Sequence, residues 1–327
     1  MSDLPKIFLT RELPPSSMKQ LRERSQLTMN HEDRALTKQE LIAGLQGVDG
    51  LLCQLTDIID DEVLGANPNL KVVSNFAVGF NNVDIASASK RNIAVTNTPG
   101  VLSDSTADMA WALMFAVARR VVEGDRFVRA GRWEGWAPLQ YLGLDISGAT
   151  LGLVGLGRIG RAMIPRAMGF NMKVLYWNRT RMDIAEEHEL GVEYAELDEL
   201  LAQSDFVSLH VALSEGTKHL INEQRLGQMK PTAYLINTAR GPVVDEKALV
   251  QALQSNVIAG AGLDVFENEP KLEPALYDLE NAVLAPHLGS ATIATRSKMG
   301  ELAIENCLAG CAGKRPPNLV NPDYDDA

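Results

Sequence analysis

Short apolar runs alternate with amphipathic segments along residues 5–99. Each apolar run, bounded by polar or turn-forming residues, predicts a strand buried on both faces, and each amphipathic segment predicts a helix. Strands that alternate with helices at this spacing indicate a parallel sheet with helices on both faces. The predicted strands of this half are KIFLT, QLTMN, DGLLCQ, LKVVSNFA and IAVTN.

The same alternation returns in the second half of the chain and predicts a second doubly wound parallel sheet over about residues 100–286. Its helices include AELDELLAQ, NEQRLGQM and DEKALVQALQ, the last two capped by Asn222 and Asp245. A final helix is predicted from about Ala291 to Gly313. The strands are LGLV, MKVLYW, DFVSLHVAL, AYLINTA, IAGAGLDVF and NAVLAP.

A long helical stretch, SDSTADMAWALMFAVARRVVEGDRFVRAG, separates the two halves, with Ser103 or Asp104 as its predicted cap. Its middle is apolar on all sides, which favours burial between domains or subunits. The loop that follows, residues 131–143, carries Trp133 and Trp136. These tryptophans indicate either an interface or packing on their own subunit, and the pattern does not decide between them.

The most informative motif is G-x-G-x-x-G, formed by Gly155, Gly157 and Gly160 directly after the strand LGLV. The first glycine permits a sharp turn, the second lets a pyrophosphate approach the backbone, and the third lets helix and strand pack closely. The N-terminus of the next helix offers N–H groups to phosphates. The motif predicts a dinucleotide site. Pro165 lies inside this helix and is expected to kink or shorten it.

The net charge and the lengths of the apolar runs limit the kinds of partner that this protein is expected to bind. The 327 residues carry a formal net charge of −11, with a pI near 5.0, which argues against nucleic acid or an anionic membrane but is compatible with an anionic substrate. No signal peptide is evident, and the apolar run 109–118 is too short to span a bilayer.

Three cysteines, Cys53, Cys307 and Cys311, do not suit a disulfide framework. Cys307 and Cys311 are four residues apart on one predicted helix, but no histidine is near to complete a metal site, so no metal is expected. Buried thiols in a reducing cytoplasm are the expectation.

Cofactor choice is expected to depend on Asn178, which lies 23 positions after Gly155, where NAD-specific folds of this type place an acid. Arg179, Thr180 and Arg181 follow. A carboxylate would repel a 2′-phosphate, whereas Asn, Arg and Thr can donate hydrogen bonds to it. The turn therefore favours NADPH without excluding NADH, unless the arginines belong to a solvated turn.

Candidate catalytic residues follow three late strands. Arg240 comes after AYLINTA, Glu269 after IAGAGLDVF and His287 after NAVLAP. Ligands of this fold bind beyond the carboxyl ends of the strands, where all three are expected. A reductase needs a cation that binds an anionic substrate and an acid that protonates the developing alkoxide. His210 also ends a strand and is a candidate on the cofactor side.

The chain resembles the D-2-hydroxyacid dehydrogenase family over essentially its whole length. The likeness lies in NFAVGFNNVDI, NTPGVLSDSTAD, GLVGLGRIG, LINTARGPVVD, GAGLDVFENEP and LAPHLGSAT. Within the family it looks closest to the glyoxylate and hydroxypyruvate reductases, because of the GRWEGWAP loop and the NRTR turn. The resemblance implies two doubly wound parallel-sheet domains of the α/β class. A Rossmann cofactor domain, residues 100–286, would be inserted in a flavodoxin-like substrate domain, residues 1–99 and 287–327.

The resemblance also implies roles. His287 would be the general acid in reduction of a small 2-keto acid, Glu269 would hold its far ring nitrogen, and Arg240 would bind the substrate carboxylate. The long helix and the tryptophan loop, residues 103–143, would form a homodimer interface. The other implied substrate contacts are Leu55, the backbone N–H groups of Val78 and Gly79, and Trp136 from the partner. The implied cofactor contacts, besides the glycines, are Thr106, Arg158, Ile159, Asn178, Arg179, Thr180, His210, Thr238, Ala239, Asp264, His287 and Gly289.

Other activities of the same family stay open, namely D-lactate, D-3-phosphoglycerate and phosphite dehydrogenases. Asn178 disfavours the phosphoglycerate enzyme, which usually has an acid there, and Glu269 disfavours formate dehydrogenase, which uses Gln. From a different class, dinucleotide-sensing transcriptional corepressors share the fold and can keep all three residues. Consumption of NADPH on addition of glyoxylate distinguishes an enzyme from such a sensor.

Overall fold

The structure is a computed structural model that describes residues 4–325. Its contacts divide the chain into two units. One unit contains Met1–Leu102 and Ala291–Ala327, and the other contains Ser103–Ser290. Within the described residues, no helix combines the length and the apolar character needed to cross a membrane.

The first unit is built on a five-stranded parallel sheet with the order β2-β1-β3-β4-β5. This is the flavodoxin-like order, as the resemblance implied. The strands are β1 (Lys6–Leu9), β2 (Gln26–Met29), β3 (Gly50–Cys53), β4 (Val72–Asn75) and β5 (Ala94–Thr96). The helices between them are α1 (Pro15–Arg24), α2 (Lys38–Gly44), α3 (Asp61–Gly65) and α4 (Ile85–Lys90).

The second unit contains a seven-stranded parallel sheet with the order β12-β11-β10-β9-β6-β7-β8, the Rossmann arrangement with one further strand. Its strands are β6 (Thr150–Val154), β7 (Lys173–Trp177), β8 (Glu193–Tyr194), β9 (Phe206–Leu209), β10 (Tyr234–Asn237), β11 (Gly260–Leu263) and β12 (Ala282–Leu284). Its helices are α5 (Ser103–Ala118), α6 (Val121–Arg129), α7 (Arg158–Gly169), α8 (Ile184–Leu190), α9 (Leu197–Gln203), α10 (Glu223–Leu226) and α11 (Glu246–Gln254). Asn222 and Asp245 cap α10 and α11 through their side chains, as predicted.

Helix α12 (Ile293–Cys311) returns the chain to the first unit, where it packs on α1 and on strands β3, β4 and β5. It begins two residues later than predicted because Thr292 caps it, with its hydroxyl accepting from the Thr295 N–H. Cys307 and Cys311 lie buried on the face of α12 that meets the sheet, and Cys53 is buried in β3. Burial raises the pKa of the Cys53 thiol well above its usual range. The predicted buried thiols are confirmed.

The prediction of one long helix between the two halves is wrong, because this segment forms two helices, α5 and α6. Arg120 adopts a left-handed conformation (φ 53°) between α5 and α6. The Ala118 carbonyl, at the end of α5, accepts from the Leu144 N–H at 3.0 Å, and the Arg120 guanidinium lies over the Tyr141 ring. The returning loop thus ends the helix through contacts that are distant in sequence. The apolar α5 packs on β10, β11, β12 and α7 within its own unit.

Of the two effects expected of Pro165, a kink or a shortened helix, the shortening does not occur, since α7 continues to Gly169. A proline removes the hydrogen bond to the carbonyl four residues earlier, here that of Arg161. Both Pro165 and Arg161 are exposed. At an exposed position, water can supply the missing donor, which lowers the cost of a proline inside a helix.

A buried polar cluster closes the end of β7. The Glu187 side chain, 7% exposed, accepts from the Tyr176 hydroxyl at 2.7 Å and from Nε and Nη2 of Arg181 at 2.7 Å each. The Arg181 bonds, followed by the Tyr176 bond, lower the pKa of Glu187 from its usual 4.5 to about 2. Burial and the bond to Glu187 raise the pKa of Tyr176 to about 12.

We expect Glu187→Gln to remove an acid-sensitive part of the stability. The pKa of Glu187 is lower in the folded protein than in the unfolded chain, so the carboxylate stabilises the fold fully above pH 4.5 and loses this effect as the pH falls toward 2. The Tm of the variant should be below that of the wild type at neutral pH, and the gap should narrow in acid. Thermal melts across this range measure it. Glu189→Gln, an exposed change on the same helix, is the control; a gap independent of pH would contradict the prediction.

Candidate active site

Three neighbouring strands of the second unit deliver the predicted catalytic side chains to one edge. Strands β10, β11 and β12 are parallel and adjacent, and end at Asn237, Leu263 and Leu284. The loops that follow carry Arg240, Glu269 and His287. Since the carboxyl ends of parallel strands meet at one edge, residues far apart in sequence come together there.

His287 and Glu269 are in direct contact. The His287 Nδ1 lies 3.0 Å from Glu269 Oε2, and the other carboxylate oxygen accepts from the Phe266 N–H at 3.1 Å. Burial alone would raise the pKa of Glu269, but the hydrogen bond and charge of His287, with the Phe266 N–H and Arg240, lower it below its usual value. The carboxylate is thus ionised and orients the ring so that Nε2 is the nitrogen available to a substrate.

Arg240 lies in the loop after β10, which Asn237 holds in place. The Asn237 side chain donates to the Arg240 carbonyl at 3.0 Å and accepts from the Ala239 N–H at 3.0 Å. The guanidinium is half-buried and donates to the Ala239 carbonyl at 2.7 Å. Burial lowers the pKa of Arg240, and the charge of Glu269 opposes this shift. A partly desolvated guanidinium of this kind suits a carboxylate ligand.

Gly241 brings the Arg240 loop against the Glu269 loop. A Cβ at this position would lie 1.9 Å from the carbonyl carbon and oxygen of Phe266. No side chain fits there, so the two backbones are in direct contact. The distance between the Arg240 guanidinium and the Glu269 carboxylate therefore depends on Gly241. No sequence pattern predicted this role, although the glycine directly follows Arg240 in the run ARGP.

The His287 turn is fixed by Asp264, at the end of β11. The Asp264 side chain, only 1% exposed, accepts from the Leu288 N–H at 2.6 Å and the Gly289 N–H at 2.7 Å. Its backbone carbonyl accepts from the His287 N–H at 2.9 Å, and His287 itself is left-handed (φ 56°). The sequence placed Asp264 and Gly289 among cofactor contacts; the structure shows that they also hold the histidine turn.

The glycine motif forms the turn between β6 and α7 that was predicted. Gly155 is left-handed (φ 99°), and a Cβ there would lie 2.8 Å from the His210 backbone. A Cβ on Gly160 would lie 2.3 Å from the Gly155 carbonyl oxygen, so this glycine sets the close packing of α7 on the turn. Gly157, by contrast, has open space beside it. Arg158 and Ile159 begin α7, whose N-terminal N–H groups border that space.

The turn after β7 contacts the glycine loop through Asn178. Its Oδ1 accepts from the Leu156 N–H at 2.8 Å, between the first two glycines of the motif. Arg179 and Thr180 are exposed. Arg181 is engaged with Glu187 instead, so it belongs to the structural cluster described above.

Four of the residues that were expected to contact the cofactor differ in their surroundings. The Thr238 hydroxyl is buried and has no hydrogen-bond partner among the described residues. Thr106 lies next to Gly289, and Ala239 is held by Asn237. His210 Nε2 is 2.9 Å from the Ser208 hydroxyl, and burial lowers the pKa of this histidine to about 4, so it is neutral.

The predicted substrate contacts Leu55, Val78 and Gly79 belong to the first unit, in the loops after β3 and β4. The Val78 carbonyl accepts from Asn97 and the Gly79 carbonyl from Asn75, each at 2.8 Å. These bonds fix the loop, and the role of its N–H groups stays a prediction. Trp136 lies on the surface of the second unit and is 84% exposed.

A Rossmann unit with Arg, Glu and His at its carboxyl edge is typical of dinucleotide-dependent oxidoreductases, and comparison with known proteins specifies the family. Residues 111–289 match the family model described as D-isomer specific 2-hydroxyacid dehydrogenase, NAD binding domain. A glyoxylate reductase of Thermococcus litoralis is 50% identical over 323 residues, covering 98% of this chain and 97% of its own. That of Pyrococcus furiosus is 49% identical over 323 residues, covering 98% and 96%. The chain belongs to the D-isomer specific 2-hydroxyacid dehydrogenase family.

Solved structures agree with this assignment. A protein of Thermus thermophilus superposes with a TM-score of 0.90 at 46% identity, covering 96% of this chain and 99% of its own. The NADPH-dependent glyoxylate/hydroxypyruvate reductase of Sinorhizobium meliloti, solved with NADP and malonate, gives 0.87 at 34% identity, covering 98% and 97%.

Proposed function

We propose that this protein reduces glyoxylate and hydroxypyruvate to glycolate and D-glycerate with a reduced nicotinamide dinucleotide. The observation that carries the proposal is the 3.0 Å contact between His287 Nδ1 and Glu269 Oε2, with Arg240 in the loop packed beside it. A proton donor and a carboxylate-binding cation are what reduction of a 2-keto acid requires. Relatives that are half identical over nearly the whole chain are named glyoxylate reductases, which supports the substrate class.

The residues of the second unit fit a dinucleotide. The open space at Gly157 accommodates a phosphate beside the first turn of α7, and the unpartnered Thr238 hydroxyl can hydrogen-bond a polar group of the ligand. When bound, the cofactor supplies the hydride. We assign the cofactor domain to residues 100–286 and the substrate domain to residues 1–99 and 287–327. The units seen in the contacts, with a boundary at residues 102/103 and another at 290/291, support this division.

The chain's own side chains account for the proton and the charge. Arg240 binds the substrate carboxylate and polarises the carbonyl next to it. His287 donates a proton from Nε2 to the carbonyl oxygen as that oxygen becomes an alkoxide. Glu269 accepts a hydrogen bond from Nδ1, so the ring is held in one orientation and its positive charge is stabilised. We propose that Leu55, Val78 and Gly79 add further substrate contacts.

We expect Arg240→Ala to lower kcat/KM for glyoxylate by about 10³-fold, since removal of a charged group that stabilises the transition state costs this much. The decrease of NADPH absorbance after addition of glyoxylate measures it. Arg22→Ala, which removes an exposed guanidinium from α1, should retain wild-type rates. Wild-type turnover by Arg240→Ala would refute the mechanism, and no turnover by the wild-type protein would favour a dinucleotide sensor.

We further propose that NADPH is preferred over NADH. The Asn178 side chain, whose oxygen accepts from the Leu156 N–H, is a neutral amide, so it places no negative charge where an acid would repel a 2′-phosphate. Arg179 is exposed next to it and has no ion-pair partner within residues 4–325, so its guanidinium is available to a phosphate. Thr180 adds a hydroxyl.

The double variant Asn178→Asp/Arg179→Ala should shift the preference toward NADH. The introduced carboxylate can bind a ribose hydroxyl and repels a 2′-phosphate, while the attracting cation is lost, so we expect the ratio of kcat/KM values for the two cofactors to change by about 10²-fold. Glyoxylate reduction assayed with each cofactor gives the ratio. Arg181→Ala, which breaks the Glu187 pair instead, is the comparison variant. Retained NADPH preference in the double variant would refute this role of the turn.

We also propose that the protein is a homodimer through residues 103–143. This segment exposes apolar side chains that a monomer would leave in water, namely Val121, Val128, Trp133, Trp136, Leu139 and Leu142. Tryptophans of this kind are typical anchors of protein interfaces.

Light scattering should therefore give a mass twice that of the 35.6 kDa chain. Trp136→Ala/Leu139→Ala should shift the equilibrium toward the single chain, because it removes two of the most exposed apolar side chains of the segment. Tyr277→Ala, an exposed aromatic outside the segment, should not. A monomeric wild type at the concentrations of the assay would contradict the proposal.

A further inference from the structure

Glu246, the first residue of α11, is a buried carboxylate that the reaction described above does not use. It is 5% exposed. Its Oε2 accepts from the Glu267 N–H at 2.8 Å, and its Oε1 accepts from the Glu273 N–H at 2.6 Å. Burial of a carboxylate is costly unless hydrogen bonds compensate for the lost water, and here backbone donors of one loop do so.

The two donors flank Glu269 in the chain. Between them, residues 267–273 form a turn in which the Lys271 N–H donates to the Asn268 carbonyl at 2.9 Å. Asn268 and Glu269 remain accessible to solvent, although part of the Glu269 side chain is covered, so this part of the turn depends on hydrogen bonds to keep its position. One carboxylate therefore holds both ends of the segment that presents the His287 partner.

The contact is reciprocal and extends to a histidine. Oε2 of Glu267 accepts from the Glu246 N–H at 3.3 Å, while Oε1 of Glu267 lies 2.6 Å from His219 Nε2. His219 is itself fixed, since its N–H donates to the Pro242 carbonyl at 2.8 Å, in the loop after Arg240. The network thus joins the beginning of α11 to the loops that carry Arg240 and Glu269.

We propose that Glu246, supported by Glu267 and His219, is a positioning residue that sets the distance between Glu269 and His287 and thereby the reactivity of the proton donor. The inference rests on the proposed function, in which Glu269 orients His287. A small displacement of a group that orients a proton donor lowers the rate strongly, because the reactive geometry is then reached less often.

Glu246→Gln is the direct test. The amide keeps one acceptor oxygen and replaces the other by an NH2 group, so one of the two backbone N–H groups loses its acceptor. We expect kcat for glyoxylate reduction to fall roughly 10- to 100-fold with a smaller change in KM. Glu223→Gln removes an exposed acid from the corresponding first position of α10, so it should keep wild-type kcat.

The pH profile and a double-mutant cycle distinguish positioning from a general structural role. The charged groups around Glu269 are His287, Arg240 and Asp264. If Glu269 moves away from His287, its carboxyl loses the hydrogen bond and the charge that help to lower its pKa, so the acidic midpoint of kcat/KM should move to higher pH. Glu246 should act only through Glu269. Glu246→Gln/Glu269→Gln should therefore be no slower than Glu269→Gln, within about twofold.

Two results would overturn the inference while leaving the proposed function intact. One is wild-type kcat in Glu246→Gln together with a strong loss in Glu269→Gln. The other is a double variant whose loss is the product of the two single losses. A Glu269→Gln variant as active as the wild type would instead overturn the proposed function. If Glu246→Gln does not fold, Glu267→Gln takes its place in the same cycle with the same expected and contrary results, because its amide keeps only one of the two oxygens that contact the His219 ring and the Glu246 N–H.

Discussion

The site depends above all on the hydrogen bonds that the buried carboxylate of Asp264 accepts from the backbone of the histidine turn. Parallel strands bring β10, β11 and β12 to a common edge, but a strand end does not by itself fix a side chain that lies several residues beyond it. Asp264 supplies that constraint through the N–H groups of Leu288 and Gly289, and its carbonyl binds the N–H of His287. A histidine in the left-handed conformation is held in this way through the backbone of its turn.

Buried polar side chains also hold the other two loops at this edge of the sheet by hydrogen bonds to the backbone. Asn237 binds the Ala239 N–H and the Arg240 carbonyl, and Glu246 binds the backbone on both sides of Glu269. Each of the three buried polar side chains forms hydrogen bonds with backbone groups of a loop, where no neighbouring strand is available as a partner. The reactive side chains themselves remain half-buried or exposed, where a substrate can reach them. Rigidity and accessibility are thus provided by different residues.

Sequence patterns predicted nearly every strand and the order of secondary structure, because buried parallel strands are continuous apolar runs and their helices carry recognisable caps. They failed where contacts distant in sequence decided the outcome. The break at Arg120 depends on the returning loop that supplies the Leu144 N–H, and nothing within the apolar run itself indicates it. Pro165 shows the reverse case, in which a strong local signal for a helix break did not end the helix, and the residue lies at an exposed position of α7. The local preference of a residue for a helix is only one contribution to the free energy of folding, and tertiary packing can outweigh it.

By itself, the sequence determined the two-sheet class, the dinucleotide turn at Gly155, and the three residues at the strand ends, because each follows from local spacing and residue chemistry. Tertiary structure alone decided how those residues are held. The 3.0 Å contact of His287 with Glu269, the backbone contact at Gly241 and the buried Glu246 join segments separated by between 18 and 27 residues. No periodicity links such positions, since a hydrogen bond between two loops depends on where their strands lie in the sheet and not on their separation along the chain.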